Sequence, residues 1–144
     1  MVLPVGVGGL AQAAVTHYKS SSGHTIRFLT VEPEVAACLY SSLLAGKRVD
    51  VEQKETILKH LSYGTVAEAA WEVLKDGVDA STVVSDAEVL EAVEELGSLD
   101  VEVGGCGGAV LAALKSVLGG ELGETWDFDE NSTVVLVCTD GKGD

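Results

Sequence analysis

Positive charge is what this chain has least of: 9 lysines and arginines stand against 23 aspartates and glutamates, a formal net charge of −14. Such an acidic surface repels phosphate backbones and anionic lipid headgroups and offers neither a basic stripe, which argues against nucleic acid and membrane as partners. Long apolar runs are missing too. No stretch approaches the roughly 18 unbroken apolar residues of a membrane span, and the apolar opening Met1 to Val15 has no cationic start and carries three glycines and a proline where the helix of a signal sequence would run. A soluble, cytoplasmic protein is the expectation. Cysteine is sparse: Cys38, Cys106 and Cys138 are odd in number, far apart, and without a CxxC pair or histidines at ligand spacing, so neither a disulfide framework nor a zinc site is indicated. Reduced thiols are the simple account.

What is present is globular: 144 residues, 47% hydrophobic and 22% charged, enough for one domain or one part of a larger one. Apolar runs and punctuation alternate as in α/β units. Val2 to Val5, Thr25 to Val31 and Ala80 to Val84 read as strands, and Thr133 to Cys138 as a continuous apolar strand buried on both faces of a parallel sheet. Helices are expected from Leu10 to about Lys19, from Glu34 to Ala45 with Gly46 as C-terminal cap, from Thr65 to Lys75, and from Ala109 to about Leu118. Ser85-Asp86-Ala87-Glu88 matches a capping box, with Val89, Leu90, Val93 and Leu96 on one face behind it. Ser20 to His24 reads as a polar turn and Gly119 to Asn131 as an acidic loop. Lys47 to Gly64 shows no clear period. The pattern predicts a three-layer α/β/α arrangement with a mainly parallel sheet, over residues 1–144 as a single partial domain.

Gly6, Gly8 and Gly9 ahead of a helix make a concave loop whose amides, with the positive end of the helix dipole, suit a phosphate. Glycines that merely permit a tight strand-to-helix turn are the bland alternative. A dinucleotide fingerprint is a competitor, read as Gly6-x-Gly8-x-x-Ala11 with Glu32 at the end of the next strand, and would make this an NAD- or FAD-binding domain. Pro4 speaks against it, since proline cannot donate to a ladder in the central first strand that such a core requires. An exposed Glu32 before Pro33 is adequately explained by a helix dipole. His17, His24 and His60 pair with no Cys or Asp in a nucleophilic arrangement.

Pro4-Val5-Gly6-Val7-Gly8-Gly9-Leu10-Ala11-Gln12-Ala13 resembles the phosphate loop of pyridoxal-phosphate (PLP) enzymes of the tryptophan synthase β-like fold, also called fold type II. With Thr16-His17-Tyr18-Lys19 behind it, the variant is most similar to diaminopropionate ammonia-lyases and threonine dehydratases. Leu29-Thr30-Val31-Glu32-Pro33, Gly64-Thr65-Val66-Ala67-Glu68, Asp76-Gly77-Val78-Asp79, Val84-Ser85-Asp86-Ala87-Glu88, Gly105-Cys106-Gly107-Gly108-Ala109 and Val137-Cys138-Thr139-Asp140-Gly141 follow in that family's order. The resemblance implies PLP as cofactor, held by Gly6, Val7, Gly8, Gly9 and Leu10 at its phosphate and by Thr139 facing the pyridine nitrogen, with Cys138 as the neighbouring alternative. Cys106 is expected as a packed small residue with no part in catalysis. The implied reaction is β-elimination of ammonia from a small amino acid such as 2,3-diaminopropionate.

The family's catalytic lysine lies well upstream of the glycine loop, and the lysines at 19, 47, 54, 59, 75, 115 and 142 lack its context. The resemblance therefore implies a fragment or subunit with no catalytic residue of its own, inactive unless a complementing N-terminal half supplies one; a homodimer or a non-catalytic regulatory remnant are the other expectations. Unsatisfied sheet edges and exposed apolar surface should accompany such a chain.

Overall fold

Val2 to Val5 is buried throughout, as a strand inside a parallel sheet covered on both faces must be. In the computed structural model, which describes residues 1–20, 25–141 and 143, strand β1 (Val2–Pro4) pairs in parallel with β2 (Leu29–Pro33), and β2 with β3 (Ala80–Val84). Most of the expected turn Ser20 to His24, and Lys142 and Asp144 of the tail, lie outside the described residues. Alternation along β2 divides the molecule into layers. Leu29 and Val31 pack with α4 (Asp86–Ser98) and α5 (Gly105–Leu118). On the other face Phe28 packs with α1 (Gly9–Ser20), α2 (Cys38–Ala45) and α3 (Glu68–Gly77). The three-layer α/β/α arrangement with a parallel sheet is as expected.

Two helix boundaries follow from side-chain chemistry that is legible in the sequence. Ser85 accepts from the Glu88 amide while the Glu88 carboxylate accepts from the Ser85 amide, a complete capping box. Gly46 closes α2 in the left-handed region at φ 68°, where a side chain would be strained.

Other boundaries need correction. Thr133 to Cys138 is not a buried continuous strand: Val135 and Cys138 are exposed, and the segment touches the sheet at one parallel bridge, Leu136 to Val2. The Val2 amide donates to the Val135 carbonyl and the Val137 amide to the Val2 carbonyl. In a parallel ladder Val2 and Pro4 present their backbone groups to the same neighbour, so the next amide in this ladder would be the one proline lacks. Pro4 thus ends the pairing, and residues 138–140 form no further bridge to β1. Glu121–Trp126, inside the expected acidic loop, forms the short helix α6. β2 begins at Leu29 and runs through Pro33, and α2 begins at Cys38, four residues later than its pattern suggests. Leu90 points outward, Ala92 taking its place in the buried stripe, and Trp71 rather than Ala69 fills the α3 face. Among the described residues β3 has no strand on its outer side, and Leu44 and Leu99 are 75% and 66% exposed.

Candidate functional site

All three strands and the 135–137 segment run the same way, so their carboxyl ends share one edge, where open α/β sheets place ligands. There the chain forms an open cavity of about 420 Å³ bordered by Gly6 to Leu10, by Tyr63 and His60, and by Cys106, Thr139 and Asp140. Sequence-distant residues meet because of register. Leu136 lies opposite Val2, and Thr139, three residues further on, borders the same cavity as the glycine loop. A second cavity of about 310 Å³, around Met1, Arg27, Leu29 and Trp126, sits at the amino ends of the same strands, away from the loop.

The loop's shape is set by contacts behind it. Gly8 stands at φ +100°, and a β-carbon there would come within 2.9 Å of the Ala70 side chain. At Gly6 one would lie 2.9 Å from the Tyr63 ring and 3.0 Å from the His60 carbonyl. The Val7 carbonyl accepts from the Ala67 amide, tying the loop to the start of α3. Helix α1 then starts at Gly9, its first intrahelical bond running from the Gln12 amide to the Gly8 carbonyl at 2.8 Å. The amides of Gly9, Leu10 and Ala11 precede that bond and have no intrahelical acceptor. Its N-cap, Gly8, has no side chain to offer them.

Two neighbouring helix starts are filled. On α5, the Cys106 and Gly107 amides donate to the Asp140 carboxylate, the first at 2.8 Å. On α2, the Leu39 and Tyr40 amides donate to Glu32 at 2.8 and 2.7 Å. In both cases one carboxylate spans the second and third amides of a helix, the positions a capping group serves. Glu32 is fully buried rather than exposed, although its tie to a helix dipole is as the sequence suggests. Burial pushes its carboxyl up to about 7. Engaged in this way, Glu32 is unavailable to a ribose, and the dinucleotide reading loses its acidic residue.

Cys106 is buried in the core with only its edge on the cavity, and burial, then the Asp140 charge, push its thiol up to about 11. It stays protonated at neutral pH, as suits a packed residue. Cys138 borders the outside, its thiol donating to the Gly107 carbonyl at 3.6 Å. His60, Tyr63 and Asp140 were not expected at the cavity. The first two lie in the aperiodic stretch 47–64, held by a parallel bridge from Ala37 to Tyr63 and by Asp86, which accepts from the Thr56 hydroxyl and the Ile57 amide. No local pattern announces such long-range anchoring. None of the described lysines borders the cavity.

A family profile described as pyridoxal-phosphate dependent enzyme matches residues 1–140. The chain belongs to that family. A human serine dehydratase-like protein is 33% identical over 143 residues, covering 96% of this chain and 43% of its own length. A threonine deaminase from T.th. superposes with a TM-score of 0.73 at 33% identity, over 80% of this chain and 43% of that one. Diaminopropionate ammonia lyase from Escherichia coli superposes with a TM-score of 0.83, over 97% of this chain and 37% of that one, but at 23% identity, so this likeness shows the fold alone. The chain spans less than half the length of these relatives. The fold is that of part of a fold type II PLP enzyme, and PLP is the cofactor its family implies. No helix among the described residues is long and apolar enough to cross a membrane.

Proposed function

We propose that this chain is the phosphate-binding part of a PLP-dependent ammonia-lyase, with Gly6, Val7, Gly8, Gly9 and Leu10 holding the cofactor phosphate and Thr139 facing the pyridine nitrogen. The supporting observation is the contrast among three helix starts: α2 and α5 carry a carboxylate on their second and third amides, whereas the start of α1, at Gly9 and Leu10, borders an open cavity and has no carboxylate on it among the described residues. An anionic phosphate fits where a carboxylate is missing. PLP supplies an aldehyde that captures amines and a pyridine ring that accepts electrons. The chain's own contribution is to bind and orient. A hydroxyl at Thr139 is neutral and leaves the ring nitrogen largely unprotonated, which moderates the electron sink and suits β-elimination.

The serine and threonine dehydratase relatives support a small amino-acid substrate for the intact enzyme, and the Thr16-His17-Tyr18-Lys19 variant of the loop favours 2,3-diaminopropionate within that class. The chain is read as one partial domain, completed by an N-terminal half that carries the lysine, or paired as a homodimer. Of the described lysines, Lys19, Lys75 and Lys115 sit in surface ion pairs with Asp79, Glu72 and Glu95, and Lys47, Lys54 and Lys59 are exposed. With none of the described lysines at the cavity, the isolated chain should bind PLP weakly and without a covalent bond, and release no ammonia from diaminopropionate, serine or threonine.

Absorbance titration with PLP and with pyridoxal, followed by borohydride reduction and mass spectrometry, tests this. PLP should bind, pyridoxal should not, and no adduct should concentrate on one lysine. Stoichiometric labelling of a single lysine together with turnover would show a complete enzyme. Equal binding of pyridoxal would remove the phosphate loop from the reading.

A further inference from the structure

Behind the glycine loop lies a buried group that the cofactor reading does not use. Glu32 Oε1 stands 3.5 Å from the Cys38 sulfur, and the same sulfur stands 3.7 Å from the Gly6 carbonyl oxygen. A thiol has one hydrogen and cannot serve two acceptors at once. Burial and the Glu32 charge push the thiol up to about 12, so that hydrogen is always present.

We propose that Glu32 is a positioning residue for the glycine loop, acting through the single Cys38 hydrogen for which its carboxylate and the Gly6 carbonyl compete. The proposal rests on the loop being an anion site. When Glu32 is ionised it is the stronger acceptor, takes the S–H, and leaves Gly6 untied. When Glu32 is protonated its pull weakens and the S–H turns to Gly6, anchoring the loop at its first residue. Loss of a buried negative charge behind the helix start favours an anion in front of it as well. Both effects have the same sign: anions bind more tightly as pH falls through the Glu32 midpoint, near 7, and a bound anion raises that midpoint in turn.

The surroundings leave the carboxylate sensitive. From α2 it meets Cys38 and the Leu39 and Tyr40 amides; on its own face of β2, two residues earlier, is the buried and unpartnered hydroxyl of Thr30; beside it on β3 is Val83. No lysine or arginine among the described residues forms an ion pair with it. His60 and Asp140 border the cavity itself and are left unchanged in every variant below.

Sulfate is the probe, because its charge is constant across the neutral range. Its affinity is measured at about pH 6 and about pH 8.5 for the wild-type chain, Glu32→Gln and Cys38→Ala, alongside the amide shifts of Gly6 to Leu10 without ligand. Wild type should bind about fivefold more tightly at the lower pH, beyond any rise in Glu32→Gln. Glu32→Gln should hold the tighter affinity at both pH values, and Cys38→Ala should keep less than half of the wild-type rise. In wild type the loop amides should titrate with a midpoint near 7 that Glu32→Gln abolishes and Cys38→Ala weakens, most of all at Gly6. Sulfate binding with the same pH dependence in all three chains overturns the positioning role and leaves the anion site standing. Loop amides that titrate as expected in a chain that binds no sulfate would instead remove the anion site and keep the coupling. Amides that do not titrate overturn the coupling in wild type itself, whether or not a variant folds.

Discussion

Helix α1 begins behind Gly6-Val7-Gly8-Gly9 and α5 begins within Gly104-Gly105-Cys106-Gly107-Gly108, yet only the second has a carboxylate across its first turn. In α5 the glycines make room for that group: a β-carbon at Gly104 or Gly107 would come within 2.5 or 2.8 Å of the Asp140 carboxylate oxygens. In α1 they do something else. Gly8 lets the chain take a left-handed turn against Ala70, and Gly9 has nothing within 4 Å of where a β-carbon would be. One glycine cluster admits a side chain of the protein, and the other keeps a helix end open. Composition alone does not separate the two, because the discriminating feature is whether a distant carboxylate can reach.

The most damaging way to probe the contrast is to remove the turn that opens α1. Gly8→Ala forces a β-carbon into the left-handed region, at about 1–2 kcal/mol, and into contact with Ala70 and Leu74, which overpacking adds to by about 1–3 kcal/mol. A loss of about 4 kcal/mol in unfolding free energy is expected by chemical denaturation. A loss below about 1 kcal/mol would mean that the loop's geometry is not set by Gly8.

A smaller change should make the two helix starts alike. Asp140→Ala strips the α5 amides of their acceptor and should cost about 1–2 kcal/mol, the usual effect of losing a charged cap. It should also create a second anion site, so that the sulfate stoichiometry rises from one to two. A stoichiometry that stays at one would show that an open helix start is insufficient here, and would weaken the argument built on α1.

Much of this was legible in the residues and some could not be. The capping box at Ser85 and Glu88 and the αL cap at Gly46 are local chemistry, written within a few residues and read correctly from them. The parallel α/β plan followed from short apolar runs alternating with helical stripes. Thr133 to Cys138 misled because its composition is that of a buried strand, while its pairing is stopped by Pro4, a residue far away in sequence. Glu32 misled in the opposite sense: a carboxylate before a proline looks like surface, and its burial is made tolerable by amides of α2 that periodicity placed too early. His60 and Tyr63 reach the cavity on a segment without period, fixed by Asp86 and Ala37, so no local signal could have found them. The loop Gly6 to Leu10 and Thr139 were named from family resemblance, and the structure brings them to one cavity; PLP, pyridoxal and sulfate binding test the loop's share of that role.

The gentlest perturbation is the most discriminating for function. At Gly9, which borders the cavity, an added methyl meets no atom within 4 Å. At the first position of a helix alanine is also intrinsically favoured over glycine. Gly9→Ala should therefore leave stability within about 0.5 kcal/mol of wild type, or raise it slightly. If α1 is merely a helix with a spare glycine, sulfate and PLP affinity should be equally untouched. If its amides are approached closely by a phosphate, the methyl stands where the phosphate oxygens must come, and affinity should fall by about tenfold while the fold is unaffected. Denaturation and ligand titration on the same preparation separate the outcomes: loss of binding without loss of stability assigns the open helix start to a ligand, and unchanged binding assigns Gly9 to the backbone alone.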